Sequence, residues 1–156
     1  MQDFKGKYIA LIETAKGVLN IQQIIQEHNF DLAYVMLGNA DLSADLQCEN
    51  TRSALAYSNG MVLSYCNSHN IPVIDSPYFE IDDLQGLIKD TRYGKALGFA
   101  LRAAIHPRQL SAIGQVYTPT EMEIEWANKV VKIAKNGVGI LEGKMVDEAI
   151  AKRAKT

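Results

Sequence analysis

The chain has 156 residues, of which 47% are apolar and 22% charged, with a net charge of −2. That length and balance suit one globular domain with an ordinary core. The lack of a basic surplus weighs against a nucleic-acid partner, and no apolar run approaches the roughly 20 residues that a membrane span needs.

The amino terminus, MQDFKGKYIALIE, carries Asp3 and no small-residue cleavage site after an apolar stretch. It is therefore not read as a signal peptide, and the cytoplasm is the expected compartment. Lys7 to Ile12 is the first expected strand, closed by Glu13 and Thr14. Asn20 is the expected N-cap of a helix from Ile21 to His28, in which Ile21, Ile24 and Ile25 recur at helical spacing. Leu32 to Leu37 is the second strand; it breaks at Gly38 into a polar loop, 38–50, that carries Asp41. A helix from Ser53 to Ser68 presents Leu55, Met61, Val62 and Tyr65. The third strand, Ile71 to Ile74, ends in Asp75, Ser76, Pro77 and Tyr78. A helix from Asp82 to Leu97, acidic in its first turn and stopped by Gly98, leads to a fourth strand, Leu101 to Ile105, before His106 and Pro107.

The order βαβαβαβ predicts an α/β fold with parallel strands and right-handed helical crossovers. Beyond it, Gln109 to Val116 reads as a short helix, and Thr120 opens a longer one to Asn136 with Glu123 as its capping-box partner. GVGILEGKMVD reads as a β-hairpin, Val138 to Leu141 and Lys144 to Val146, turning at Glu142 and Gly143, and a basic helix from Asp147 to Lys155 follows. The expected organisation is one domain over 1–156, with the βα units over 1–116 and a helical extension with the hairpin over 117–156. Cys48 and Cys66 lack metal or redox spacing and are read as ordinary thiols.

Glu13 and Asp41 each lie just past a strand, and in a parallel sheet with one helical crossover those strand ends are neighbours. Two carboxylates there form a hard-oxygen pair of the kind that holds Mg²⁺. Glu13 can also be a solvated strand terminus and Asp41 a turn former.

The strings IETAKGVLN, LGNADLSADL, IPVIDSPYFEIDDLQGL and AIHPRQLSAIGQVYTPTEMEIEWANKVV, in this order, with the closing EGKMVDEAIAKRA, resemble the citrate lyase β-subunit-like family. That family belongs to a larger group of divalent-metal-dependent aldolases and acyl-CoA lyases built on a TIM barrel. A full barrel takes about 250 residues, so the resemblance implies half a TIM barrel, four βα units matching the family's last four strands. It implies Mg²⁺ held by Glu13 and Asp41, with Gly38 and Asp75 at the substrate, the glycine allowing close backbone approach. It implies further that Asp147, in the GxMVD segment, does acid/base chemistry in a neighbouring subunit's site. Asp75 also suits a turn, Asp147 also suits an N-cap, and Asp45 is read as a cap for the turn after it. His106 is read as structural, and Lys152, Arg153 and Lys155 as a solvated face. The sequence departs from the family at Gln47, where a glycine usually follows the DLSADL-type motif, and at Leu101-Arg102, where Gly-Lys is usual.

The activity so implied is Mg²⁺-dependent cleavage of a 3-hydroxy-acyl thioester to a 2-oxo acid and an acetyl thioester. The thioester is of citryl, citramalyl or malyl type, carried on coenzyme A or an acyl carrier. Two rival readings are an aldolase that releases pyruvate from a free 2-oxo acid and a non-catalytic half barrel with a structural role. The open sheet edges of a half barrel predict a partner, either a second copy or a separately encoded N-terminal half.

Overall fold

The computed structural model describes residues 6–26 and 31–154. The end of the helix expected to reach His28, Lys155, and the side chain of Arg153 lie outside what is described. Two compact units follow one another, Met1–Tyr117 and Thr118–Thr156.

In the first unit, β1 (Tyr8–Ile12), β2 (Leu32–Leu37), β3 (Val73–Asp75) and β4 (Leu101–Arg102) pair in parallel in the order β1-β2-β3-β4. Strands that add in sequence order, without reversal, make a barrel wall; a doubly wound sheet would reverse its order. The helices between them are α1 (Ala15–Leu19), α2 (Ile21–Gln26), α3 (Asn39–Asp45), α4 (Ala56–Ser68), α5 (Leu84–Leu97) and, after β4, α6 (Gln109–Tyr117).

Strand register assigns the two faces of the sheet. Ala10, Val35 and Val73 are partners, as are Ile12 and Leu37, and these side chains pack beneath the helices with Val18, Ile21, Leu55, Val62 and Phe99. The alternate residues Leu11, Met36, Ile74 and Leu101 form a row across all four strands on the other face. At the ends of that row Leu11 is 46% and Leu101 41% exposed. A second cluster, Leu87, Ala112 and Ile113, joins α5 to α6.

Several boundaries differ from those expected. The first helix begins at Ala15, because the Thr14 side chain accepts from Gly17 N at 3.0 Å. α2 begins at Ile21 as expected, with the Asn20 carbonyl accepting from Ile24 N at 3.0 Å, but the Asn20 side chain closes α1 by donating its N–H to the Lys16 carbonyl at 2.8 Å. The polar loop after Gly38 contains a helix, α3. Pro72 has no N–H to donate, and β3 runs from Val73 to Asp75, so Asp75 lies within the strand. Beyond Arg102 one further backbone bond follows, Ala103 N to Asp75 O at 3.0 Å, and β4 is shorter than expected. Gly98, in the left-handed region at φ 107°, ends α5 as expected.

The second unit holds α7 (Glu121–Ala134), the hairpin of β5 (Gly139–Leu141) and β6 (Lys144–Val146), and α8 (Glu148–Ala154). Thr120 and Glu123 make the expected capping box. The hairpin turns through Glu142 and Gly143, at φ 51° and 75°, the two positive values of a type I′ turn. Val130, Val146 and Ala151 form its core, with Ile133, Leu141 and Ile150 packed against them. The opposite hairpin face carries the pair Ile140 and Met145, 75% and 64% exposed. Among the described residues no helix is long and apolar enough to cross a membrane.

Candidate metal centre

Glu13 leaves β1 beside the point where Gly38 leaves β2, and Gly38 N donates to Ile12 O at 2.9 Å. The approach is close. A Cβ at position 38 would stand 2.7 Å from Glu13 Cβ and 3.1 Å from its Oε2, so a side chain there would displace the carboxylate. Asp41 lies in the first turn of α3, where the helix dipole favours a negative charge. Glu13 is half-buried and Asp41 exposed. Neither forms an ion pair among the described residues.

Contacts from distant parts of the chain fix α3. Ser76 Oγ accepts from Asn39 N at 2.7 Å and donates to Leu37 O at 2.9 Å, clasping the turn at Gly38 from both sides. Asp45 Oδ2 accepts from Ala15 N at 2.7 Å, two residues past Glu13. Asp45 was expected to cap the turn after it; its side chain instead caps α1, because α3 lies against the β1 exit. At the far end of α3, Gln47 N bonds Ala44 O and Cys48 N bonds Ser43 O, closing the helix in a Schellman motif with Gln47 at φ 54°.

The donor set fits Mg²⁺. This ion prefers oxygen and is commonly held by one or two carboxylates, with waters and substrate oxygens completing the shell. Glu13 and Asp41 are such a pair, with no ion pair to a cation among the described residues. Among the described residues no group of three or more His, Cys, Asp and Glu side chains is placed to hold a metal.

Asp75 is placed differently. It shares the helix-facing side of β3 with Val73 and is 0% exposed. Arg52 donates Nη1 and Nη2 to its two oxygens at 2.9 and 2.6 Å. The same guanidinium donates Nε and Nη2 to Asp90 at 2.9 and 2.7 Å, and Arg102 Nη1 reaches Asp90 at 2.7 Å and Asp75 at 3.4 Å. Two cations and two anions therefore neutralise one another beneath the sheet. Burial alone would raise the Asp90 pKa, but its bonds to Arg52 and Arg102 prevail and hold it below the usual carboxylate range. A substrate-facing role does not suit Asp75 in this arrangement, since its face of the strand turns toward the helices and both oxygens are occupied. Tyr78, three residues beyond Asp75, lies against Arg102 and donates its hydroxyl to Asp83 at 2.9 Å.

Residues 5–107 match the HpcH/HpaI aldolase/citrate lyase family. The chain belongs to this family. It is 30% identical over 146 residues to a (3S)-malyl-CoA thioesterase of Cereibacter sphaeroides, covering 88% of this chain and 50% of that protein. It is 26% identical over 161 residues to the mitochondrial citramalyl-CoA lyase of Homo sapiens, covering 94% and 47%. Among solved structures, CitE from Mycobacterium tuberculosis, in complex with magnesium, acetoacetate and coenzyme A, superposes with a TM-score of 0.80 at 26% identity over 94% of this chain and 58% of that one. The chain spans about half the length of the relatives it matches.

Both expected departures from the HpcH/HpaI aldolase/citrate lyase pattern acquire a structural setting. Gln47 occupies the left-handed position that a glycine would take without strain. Leu101 lies in the exposed inner row, and Arg102 supplies the second cation of the buried cluster. In the second unit Asp147 caps α8, its Oδ1 accepting from Ile150 N at 3.0 Å. His106 Nδ1 accepts from Arg108 N at 3.2 Å. Sequence reasoning missed Ser76, Arg52, Asp90 and Arg102, whose partners stand 12 to 39 positions away.

Proposed function

We propose that this chain supplies the metal-binding half of a Mg²⁺-dependent carbon–carbon lyase that cleaves a 3-hydroxy-acyl thioester to a 2-oxo acid and an acetyl thioester. The observation that carries this reading is the pair of carboxylates, Glu13 just past β1 and Asp41 in the first turn of α3 after the adjacent β2, neither in an ion pair among the described residues, within the family-matched stretch. Relatives named for malyl-CoA and citramalyl-CoA, and a structural neighbour complexed with coenzyme A, support a thioester substrate.

Glu13 and Asp41 would hold the ion, which when bound would supply stabilisation of negative charge on a substrate oxygen. Gly38 keeps the backbone close to Glu13 and leaves the space beside it to the substrate. Asp147, acting from a neighbouring subunit, accepts the substrate's hydroxyl proton as the carbon–carbon bond breaks. The exposed ends of the row, Leu11 and Leu101, and the Ile140–Met145 hairpin face support association, with a second copy or with a separately encoded N-terminal half.

Calorimetric titration of the purified chain with Mg²⁺ tests the site. Saturable binding that is lost in Glu13→Gln and in Asp41→Asn is expected. Full activity of an active preparation after either substitution would refute the assignment. Asp147→Asn should lower kcat by about 100-fold or more while leaving metal affinity unchanged.

A further inference from the structure

We infer that Ser76 and Asp45 are positioning residues that set the spacing of Glu13 and Asp41, an inference that rests on the metal reading above. The two carboxylates sit on different elements, Glu13 just past β1 and Asp41 on α3, so their separation depends on how α3 is held against the β1 exit. α3 has seven residues, too few to be stable alone, and Gly38 at its N-cap has no side chain with which to cap the first N–H groups.

Ser76 supplies the missing acceptor from the next strand. Its Oγ takes the Asn39 N–H at 2.7 Å and returns its own proton to Leu37 O at 2.9 Å, and all of these groups are buried. The residue between those two bonded groups is Gly38, which lies against Glu13 Cβ. One hydroxyl therefore fixes both the turn that contacts Glu13 and the start of the helix that carries Asp41. Ser76 is itself anchored, its N–H donating to Asp75 Oδ1 at 2.9 Å above the buried cluster.

Asp45 supplies the second tether. It stands one turn beyond Asp41 on the same face of α3, and its Oδ2 takes the Ala15 N–H at 2.7 Å. This bond joins α3 to the segment leaving Glu13. Side chains that orient metal ligands in this way commonly contribute 10- to 100-fold to affinity.

The test is Mg²⁺ titration by calorimetry of the wild-type chain, Ser76→Ala, Asp45→Ala, Asp45→Asn and Asp41→Asn. Binding about 10-fold or more weaker in Ser76→Ala and Asp45→Ala is expected. Asp45→Asn keeps an oxygen acceptor for Ala15 N and should bind nearly as the wild type does. Faster amide hydrogen exchange over residues 39–46 in both alanine variants should accompany the loss. If Asp41→Asn abolishes binding while both alanine variants bind normally, the inference is overturned and the metal site stands. If Asp45→Asn loses as much as Asp45→Ala, Asp45 acts through its charge and its positioning role is overturned. A wild-type chain that binds no Mg²⁺ at millimolar concentration overturns the metal site and this inference together. Should Ser76→Ala fail to fold, the two Asp45 variants decide alone, since that carboxylate is exposed.

Discussion

Gln47 holds a backbone conformation that a side chain disfavours by roughly 1–2 kcal/mol relative to glycine, and it does so at the position that closes α3. Gln47→Gly should therefore stabilise the first unit by about 1 kcal/mol, less than the full strain because glycine gains freedom in the unfolded chain. Urea unfolding measures this, and an unchanged midpoint would show that the strain is absorbed elsewhere. Gly38 runs the other way. Gly38→Ala forces a methyl group against Glu13 and should weaken Mg²⁺ binding in the same titration that tests Glu13 itself, with a stability loss of about 1–3 kcal/mol. The position of Glu13 and Asp41 past neighbouring strands was legible because each follows an apolar strand, and a parallel crossover brings such ends together. It misplaced Asp75, since the run Asp75-Ser76-Pro77 reads as a turn, whereas β3 starts two residues later and ends one residue later than expected, which puts Asp75 in the strand on the face toward the helices.

At the scale of elements, α3 was hidden because NADLSAD is mostly polar and its stability comes from bonds to Ser76 and Ala15, distant in the chain. The strands and α5 were legible because apolar periodicity and Gly98 mark them locally. The cluster of Arg52, Asp75, Asp90 and Arg102 ties the turn before α4, β3, α5 and β4 together, and no local pattern announces it. Removing one partner leaves a buried charge uncompensated, so Arg52→Ala should cost about 3–5 kcal/mol by denaturant unfolding. Asp90 has its pKa lowered in the folded state, so its contribution is complete above the ordinary carboxylate value near 4 and disappears as pH falls through the lower folded value. Asp90→Asn should accordingly flatten the acid limb of a stability profile. A limb unchanged in this variant would assign acid sensitivity to other carboxylates.

For the molecule as a whole, four strands in sequence order leave β1 and β4 as edges among the described residues, and the row from Leu11 to Leu101 is exposed at both of its ends. An eight-stranded barrel fills its interior with side chains from both halves. Sedimentation at micromolar concentration should therefore show association, weakened in a Leu11→Lys, Leu101→Lys double variant. A sharp monomer peak for the unmodified chain would count against it. The βαβαβαβ order predicted the wall correctly, because a helical crossover separates each strand from the next and each strand segment carries its own apolar signal. The second unit's hairpin was equally legible from Glu142-Gly143, a pair suited to the tight turn they form.

The two thiols differ in a way that gives the chain its own reporter. Cys66 is buried, and burial pushes its pKa up to about 11, so it stays protonated and out of reach of alkylating reagents. Cys48 is exposed and follows α3, its N–H bonded to Ser43 in the cap that ends the helix. A maleimide dye should label the native chain at Cys48 alone, leaving a fluorophore within one helical turn of α3. Movement of that helix on loading with magnesium would then be visible as a change in emission, with no cysteine introduced or removed.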